Sequence, residues 1–166
     1  MRIRVPLTMA FALWVGSALA QSPSTAQIIN SLRPNGPSLT DQTRGIRAIA
    51  PPSVDLTIEF QTGSSALSPD ASAELDKLGG ALTSSALAAD KFRIEGHTDT
   101  VGTAAANKTL SQQRADAVAA YLEAKFSIDA ARLQAVGVGE DGLLVPTPDQ
   151  TPEVRNRRVH IVNLGA

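Results

Sequence analysis

Asp99 and Arg114 are the residues whose types and spacing could do chemistry in this chain. A carboxylate accepts hydrogen bonds from an ammonium group, and a guanidinium offers a rigid fork of donors that fits a carboxylate in bidentate fashion. Facing each other across one loop, the two would make a receptor for a zwitterion, such as the amino-acid end of a side chain or peptide. Thr98 stands beside the acid in His97-Thr98-Asp99-Thr100, and Asn107 and Leu110 lie between acid and arginine. Thr98 and Asn107 could hydrogen-bond a ligand or hold the loop and the helix start. Leu110 could floor a pocket or belong to the core. The plainer alternative is that Asp99 orders a turn and Arg114 is a solvated helix residue or Asp99's own partner.

Other chemistries are poorly provided for. His97 and Asp99 supply two of the three or four ligands that zinc needs, and the remaining histidine, His160, is distant in sequence, so no metal is expected. The chain has no cysteine, which excludes a thiol nucleophile, a disulfide framework, cysteine-based zinc sites and a lipid-modified cysteine. No serine sits in a G-x-S-x-G elbow. No catalytic residue and no cofactor are therefore expected.

The elements that must position the pair follow from periodicity. Phe92 and Ile94 alternate with Arg93 and Glu95, the pattern of a half-buried strand. Gly96 and Gly102 bracket the polar loop. Leu110, Ala117, Val118, Tyr121 and Leu122 then recur at helical spacing. A helix starting between Thr103 and Lys108 puts Arg114 one and a half to two turns into it. Upstream, Val54, Leu56, Ile58 and Phe60 alternate as a first strand. Ser68-Pro69 reads as a helix N-cap followed by proline at the first helical position, with a buried stripe of Ala71, Leu75, Leu78 and Leu82. Downstream, strands are expected from Leu133 to Gly139 and from Arg158 to Leu164, separated by a long proline-rich loop. This order predicts an α/β (α+β) two-layer sandwich, βαβαββ, with a mixed four-stranded sheet.

The run G-H-T-D-x-x-G, followed by N-x-x-L-S-x-x-R-A-x-x-V-x-x-Y-L, resembles the OmpA-like C-terminal domain family, which includes the OmpA, Pal and MotB periplasmic domains. Here the run comprises Gly96-His97-Thr98-Asp99, Gly102, Asn107, Leu110-Ser111, Arg114-Ala115, Val118 and Tyr121-Leu122. Ile58-Glu59-Phe60 with Ser65 and Leu67, Gly137-Val138-Gly139-Glu140, and Asn156-Arg157-Arg158-Val159 extend the resemblance over about residues 54–164. It implies non-covalent peptidoglycan binding, with Asp99 and Arg114 gripping the free end of diaminopimelate in the stem peptide and Thr98, Asn107 and Leu110 nearby. It also places one arginine of the 157–158 pair near the ligand carboxylate. The two must point to opposite sides of a strand, and Arg158 is the one favoured. The approach to Asn156-Arg157-Arg158-Val159 is a residue or two shorter than in the family, which puts in doubt any contact from that loop. Two other classes stay open: a cell-wall-modifying enzyme, and an envelope interaction protein with a non-functional glycan site.

The 166 residues suit one domain with extensions, and 43% hydrophobic residues suffice for a core. A net charge of -1 gives no reason to expect a nucleic-acid partner. Residues 1–20 read as a signal peptide: Arg2 and Arg4, an apolar run from Leu7 to Leu19, and the Ala18-Leu19-Ala20 cleavage site. Their removal would start the mature chain at Gln21, shift its charge to -3 by the loss of two arginines, and place it in the periplasm, associated with the outer membrane and cell wall. Residues 21–53 read as a Pro-rich flexible extension able to dock an outer-membrane or envelope protein. Ile28, Ile29 and Leu32 form an apolar cluster within it that could make a turn or two of helix before Pro34. Residues 54–166 form the peptidoglycan-binding domain.

Overall fold

A computed structural model describes residues 22–34, 50–58, 60 and 63–166. The alternating segments pair into one sheet. Its strands are β1 (Ser53–Leu56), β2 (Lys91–His97), β3 (Leu133–Gly139) and β4 (Val159–Gly165), in the order β1-β4-β2-β3. β2 runs parallel to β3 and antiparallel to β4, and β1 is antiparallel to β4, so the sheet is mixed. Three helices accompany it: α1 (Thr25–Leu32), α2 (Pro69–Leu82) and α3 (Ala104–Phe126). From β1 onward the order is the expected βαβαββ.

Alternation decides which side of each strand meets the helices. Phe92 and Ile94 of β2 and Val159 and Ile161 of β4 are buried with Leu75, Leu78 and Leu82 of α2 and Val118 and Leu122 of α3. Ile94 lies opposite Ile161 and Ala135 in the ladders, so one apolar layer runs across three strands. Asp55, His160 and Glu95, also in register, fall on the other face. At two points α3 touches strand backbone directly. A Cβ on Gly96 would collide with the Ser111 carbonyl, and one on Gly137 with the Gln112 backbone. Glycine at these positions lets the helix that carries Arg114 sit hard against the strand that carries Asp99.

Several boundaries differ from the sequence reading. Ser68 caps α2 through a bond from the Ala71 amide, as expected. The β1 ladder stops at Leu56, although Leu56 and Ile58 remain buried and Phe60 bridges to Leu67. The last strand begins at Val159 rather than Arg158. α3 starts at Ala104, capped by Thr103, so Arg114 lies about three turns in rather than two.

The expected flexible extension is corrected in its first part. α1 has a capping box between Ser24 and Gln27, and Ile28 and Leu32 are fully buried in the core against α2 and β1. Asn163 of β4 donates to the Leu32 carbonyl at 2.8 Å and to Asp90 at 2.7 Å, tying the end of α1 to the sheet. The apolar cluster is thus an anchor, because its i, i+4 spacing gives one helical face to bury. The signal-peptide segment and residues 35–49 of the extension lie outside the described residues. Among the described residues, no helix is long and apolar enough to cross a membrane.

Candidate functional site

The acid is held where β2 ends. The parallel ladder shifts register between Gly96 and His97, and the Thr98 amide then donates to the Gly139 carbonyl of β3 at 2.9 Å. Asp99 follows, 7% exposed, its Oδ1 accepting from the Val101 amide at 3.3 Å in an Asx-type turn. Gly102 closes the loop at φ +106°, a conformation that side chains disfavour. From the first turn of α3, the Asn107 amide donates to the Asp99 carbonyl at 3.3 Å and to Glu140 at 2.7 Å. The side chain of Asn107 therefore fixes the loop.

A second loop braces the first. The Thr100 hydroxyl donates to the Pro148 carbonyl at 2.7 Å and accepts from the Thr151 amide at 3.1 Å. The Gln150 amide group spans Gly102, accepting from its N–H at 3.0 Å and donating to its C=O at 2.6 Å, while the Gln150 N–H donates to the Thr100 carbonyl at 3.0 Å. Gln150 holds a left-handed backbone, φ +54°, to do so. The loop whose short length put its contacts in doubt thus makes several, to the site loop itself. No sequence motif announced them.

Arg114 reaches the same space from α3. It is 4% exposed; its Nε donates to the Ser64 carbonyl at 3.1 Å, and its guanidinium lies 4.9 Å from the centre of the Phe60 ring. Burial, and then the field of nearby Arg157, push its pKa down, while Asp99 opposes them. The direct partner of Asp99 is Arg157, whose Nη1 donates to Oδ2 at 2.7 Å.

Between these groups lies a cavity of about 720 Å³ lined by Thr98, Asp99, Asn107, Leu110, Arg114 and Arg157, with Phe60, Val101 and Pro152 adding apolar surface. A smaller cavity of about 210 Å³ shares Phe60, Arg114 and Arg157 with it and adds Ile58 and Val154. The Thr98 hydroxyl is buried with no hydrogen-bond partner among the described residues. Of the six residues singled out from sequence, five line the larger cavity. Arg158 does not, and the choice between the paired arginines reverses. Arg158 is on the open face of the sheet, its Nε donating to Asp55 at 2.8 Å and its Nη2 to the Gly142 carbonyl at 3.2 Å. The His160 contact and Arg158 keep the Asp55 carboxyl below its usual range. His97 also faces away from the cavity. It is 5% exposed, 6.5 Å from His160 ring to ring, and burial followed by the field of Arg158 lowers its pKa against the pull of Glu95.

The described lining of the larger cavity contains no histidine, cysteine, lysine or serine, and among the described residues no three metal-ligating side chains cluster. What the lining offers is one carboxylate, two guanidiniums, an orphan hydroxyl and apolar walls, a set suited to recognising a zwitterion.

Comparison with known proteins gives a consistent picture. The model of the OmpA family matches residues 59–158. Outer membrane porin F of Pseudomonas aeruginosa is 41% identical over 66 residues, covering 40% of this chain and 19% of the porin. The peptidoglycan-associated lipoprotein of Haemophilus influenzae is 43% identical over 70 residues, covering 42% of this chain and 45% of the lipoprotein. The chain thus spans less than half the length of each of these two curated relatives. The crystal structure of the peptidoglycan-associated lipoprotein from Burkholderia pseudomallei superposes with a TM-score of 0.55 at 26% identity, covering 64% of this chain and 87% of that one.

Proposed function

Since this chain belongs to the OmpA family, we propose that it is a non-catalytic protein of the bacterial cell envelope that binds peptidoglycan without a covalent bond, through the diaminopimelate of the stem peptide. The carrying observation is the convergence of Asp99 and Arg114, both more than nine-tenths buried, on one cavity wide enough for a peptide side chain. The free end of diaminopimelate has an ammonium and a carboxylate. Asp99 takes the first and Arg114 the second, and the Thr98 hydroxyl supplies a further bond. The kinship to peptidoglycan-associated lipoproteins supports the same ligand. A periplasmic place at the outer membrane and wall is part of this reading, as is docking of an envelope partner through the segment before β1.

Sedimentation with insoluble peptidoglycan tests it. Wild-type protein should pellet, and Asp99→Ala and Arg114→Ala should each stay in solution while remaining folded by circular dichroism. Removing one member of a buried charged contact costs about 2–5 kcal/mol, more than tenfold in affinity. Wild-type pelleting by either folded variant would reject the site. Release of soluble fragments from the wall, seen by mass analysis, would instead favour an enzyme.

A further inference from the structure

We propose that His97 is a positioning residue for the ligand loop, one that keeps Asp99 in place while its ring is neutral and releases it when the ring takes a proton; the proposal rests on the peptidoglycan reading above. His97 is the last residue of β2, at the register shift that ends the parallel ladder. Two backbone bonds clamp the chain there. The His97 amide donates to the Arg158 carbonyl at 3.0 Å, just ahead of β4, and the Thr98 amide donates to Gly139 of β3 at 2.9 Å. Asp99 follows at once. The ring lies on the open face of the sheet, near His160 rather than the cavity, and the side chain is 6% exposed. Neither ring nitrogen has a hydrogen-bond partner among the described residues, and Arg158 Nη1 is buried without one as well.

The surroundings decide which form of the ring fits. Glu95 of β2 lies 3.8 Å from Nε2, but its other oxygen is held by Arg93 at 2.6 Å. Arg158 and, on β4, His160 face the ring from the next strand, His160 at 6.5 Å between ring centres. Asp55 of β1 accepts from Arg158 Nε at 2.8 Å and meets His160 Nδ1 at 2.8 Å. The Asp141 backbone approaches from the loop after β3. Two arginines thus stand against two carboxylates, and the cluster is balanced only while both imidazoles are neutral. A proton on His97 adds a buried cation where acceptors are already short. Burial, and then the field of Arg158, oppose it; His160 adds to them, whereas Glu95 and the Asp141 backbone favour it. The charged ring gains by turning out to water. At a strand end that turn cannot leave both backbone clamps intact, and Asp99 moves with them. The brace shares this support, since Arg158 Nη2 donates to the Gly142 carbonyl at 3.2 Å, in the loop that grips Thr100 and Gly102. The proton therefore prefers the loosened loop and the ligand the clamped one, and each displaces the other. Exchange of one proton limits the loss of affinity to about tenfold per pH unit.

Calorimetric titration of the full secreted chain with a soluble diaminopimelate-containing stem peptide, for wild type and His97→Asn, tests the coupling. The range runs from about pH 8 to about pH 5.5, above the ordinary carboxylate values of about 4. A base whose pKa is lowered by the clamp leaves affinity constant above its ordinary 6.5 and weakens it as pH falls through the lower value. Wild type should therefore lose about three- to tenfold over the unit below 6.5, with protons released to the buffer on binding. His97→Asn should keep one affinity across the range, whereas a histidine of merely structural importance would lower affinity at every pH. The His97 midpoint of wild type, read by NMR, should fall further when peptide saturates the site. An equal acid loss in both proteins, or the same His97 midpoint free and bound, overturns the proposal and leaves the peptidoglycan reading standing. Failure of wild type to bind at about pH 8 removes that reading itself. The clamp is then judged without ligand, by exchange protection of the Thr98 amide corrected for intrinsic rate. Protection lost in acid by wild type and kept by His97→Asn supports the proposal, and the same behaviour in both overturns it. Should His97→Asn not fold, the free and bound midpoints of wild type decide.

Discussion

The burial of α1 predicts that residues before β1 belong to the folding unit. Leu32→Ala is the sharpest perturbation. Leu32 is fully buried beside α2 and β1, and its carbonyl takes a bond from Asn163. Truncating a buried leucine to alanine costs about 2–5 kcal/mol, the higher values where the surroundings cannot collapse. Here they can, because an eight-residue helix has no stability of its own and undocks as a unit. That places the loss near the middle, about 3 kcal/mol, and makes Ile28→Ala on top of it worth much less than alone. With a urea m-value of about 2 kcal/mol/M, the midpoint should drop by about 1.5 M. Ligand affinity of the folded protein should hold. α1 is tied near Phe92, opposite Asn163 in the ladder, while the site loop leaves β2 beyond His97, roughly 17 Å along the strand. A domain starting at residue 50 that unfolds at the same urea concentration as one starting at residue 22 would refute the anchoring role.

Gln150→Ala should weaken peptidoglycan-peptide binding about tenfold by releasing Gly102, visible as faster amide exchange at Val101 and Gly102. Gln150→Gly should weaken it as much without loss of stability, since it relieves the positive φ; full affinity in both would remove the brace. Arg158→Gln should lower stability and leave affinity within about threefold, because its partner Asp55 is on the open face; loss of binding would return Arg158 to the site. His97 should titrate by NMR below its ordinary value of 6.5. A base whose pKa falls on folding adds stability that is complete above pH 6.5 and is lost as pH drops through the lower folded value. Stability should therefore decline below pH 6.5 less steeply in His97→Asn than in wild type, and a His97 midpoint above 6.5 would refute the cause.

Most of the sheet was legible because alternation is a strong signal where one face is covered. Phe92 and Ile94, and Val159 and Ile161, announced their strands and their buried side together. α1 was less legible for a physical reason. Its apolar cluster is short and lies among prolines, and whether such a segment folds depends on a surface elsewhere to receive it. Asn163, some 130 positions later, supplies part of that surface, and no local pattern near Leu32 encodes it. The brace on the site loop was hidden for the same reason. Thr100 and Gln150 meet only after the chain has returned through β3, and neither residue type is unusual in a loop.

The choice between Arg157 and Arg158 was decidable from sequence, and the information lay in phase. Val159 and Ile161 face the helices, so Arg158 and His160, out of step with them, must face the open side. Arg157, in step with Val159, falls on the helix side, and Arg114 belongs to a helix. An arginine that shares a cavity with Arg114 therefore has to be the odd-numbered one. The short turn over Val154–Asn156 relaxes strict alternation at Arg157, yet it leaves the side chain on the side that the phase dictates. Asp99 is then drawn between two guanidiniums, one fixed on α3 and one on a side chain free to turn.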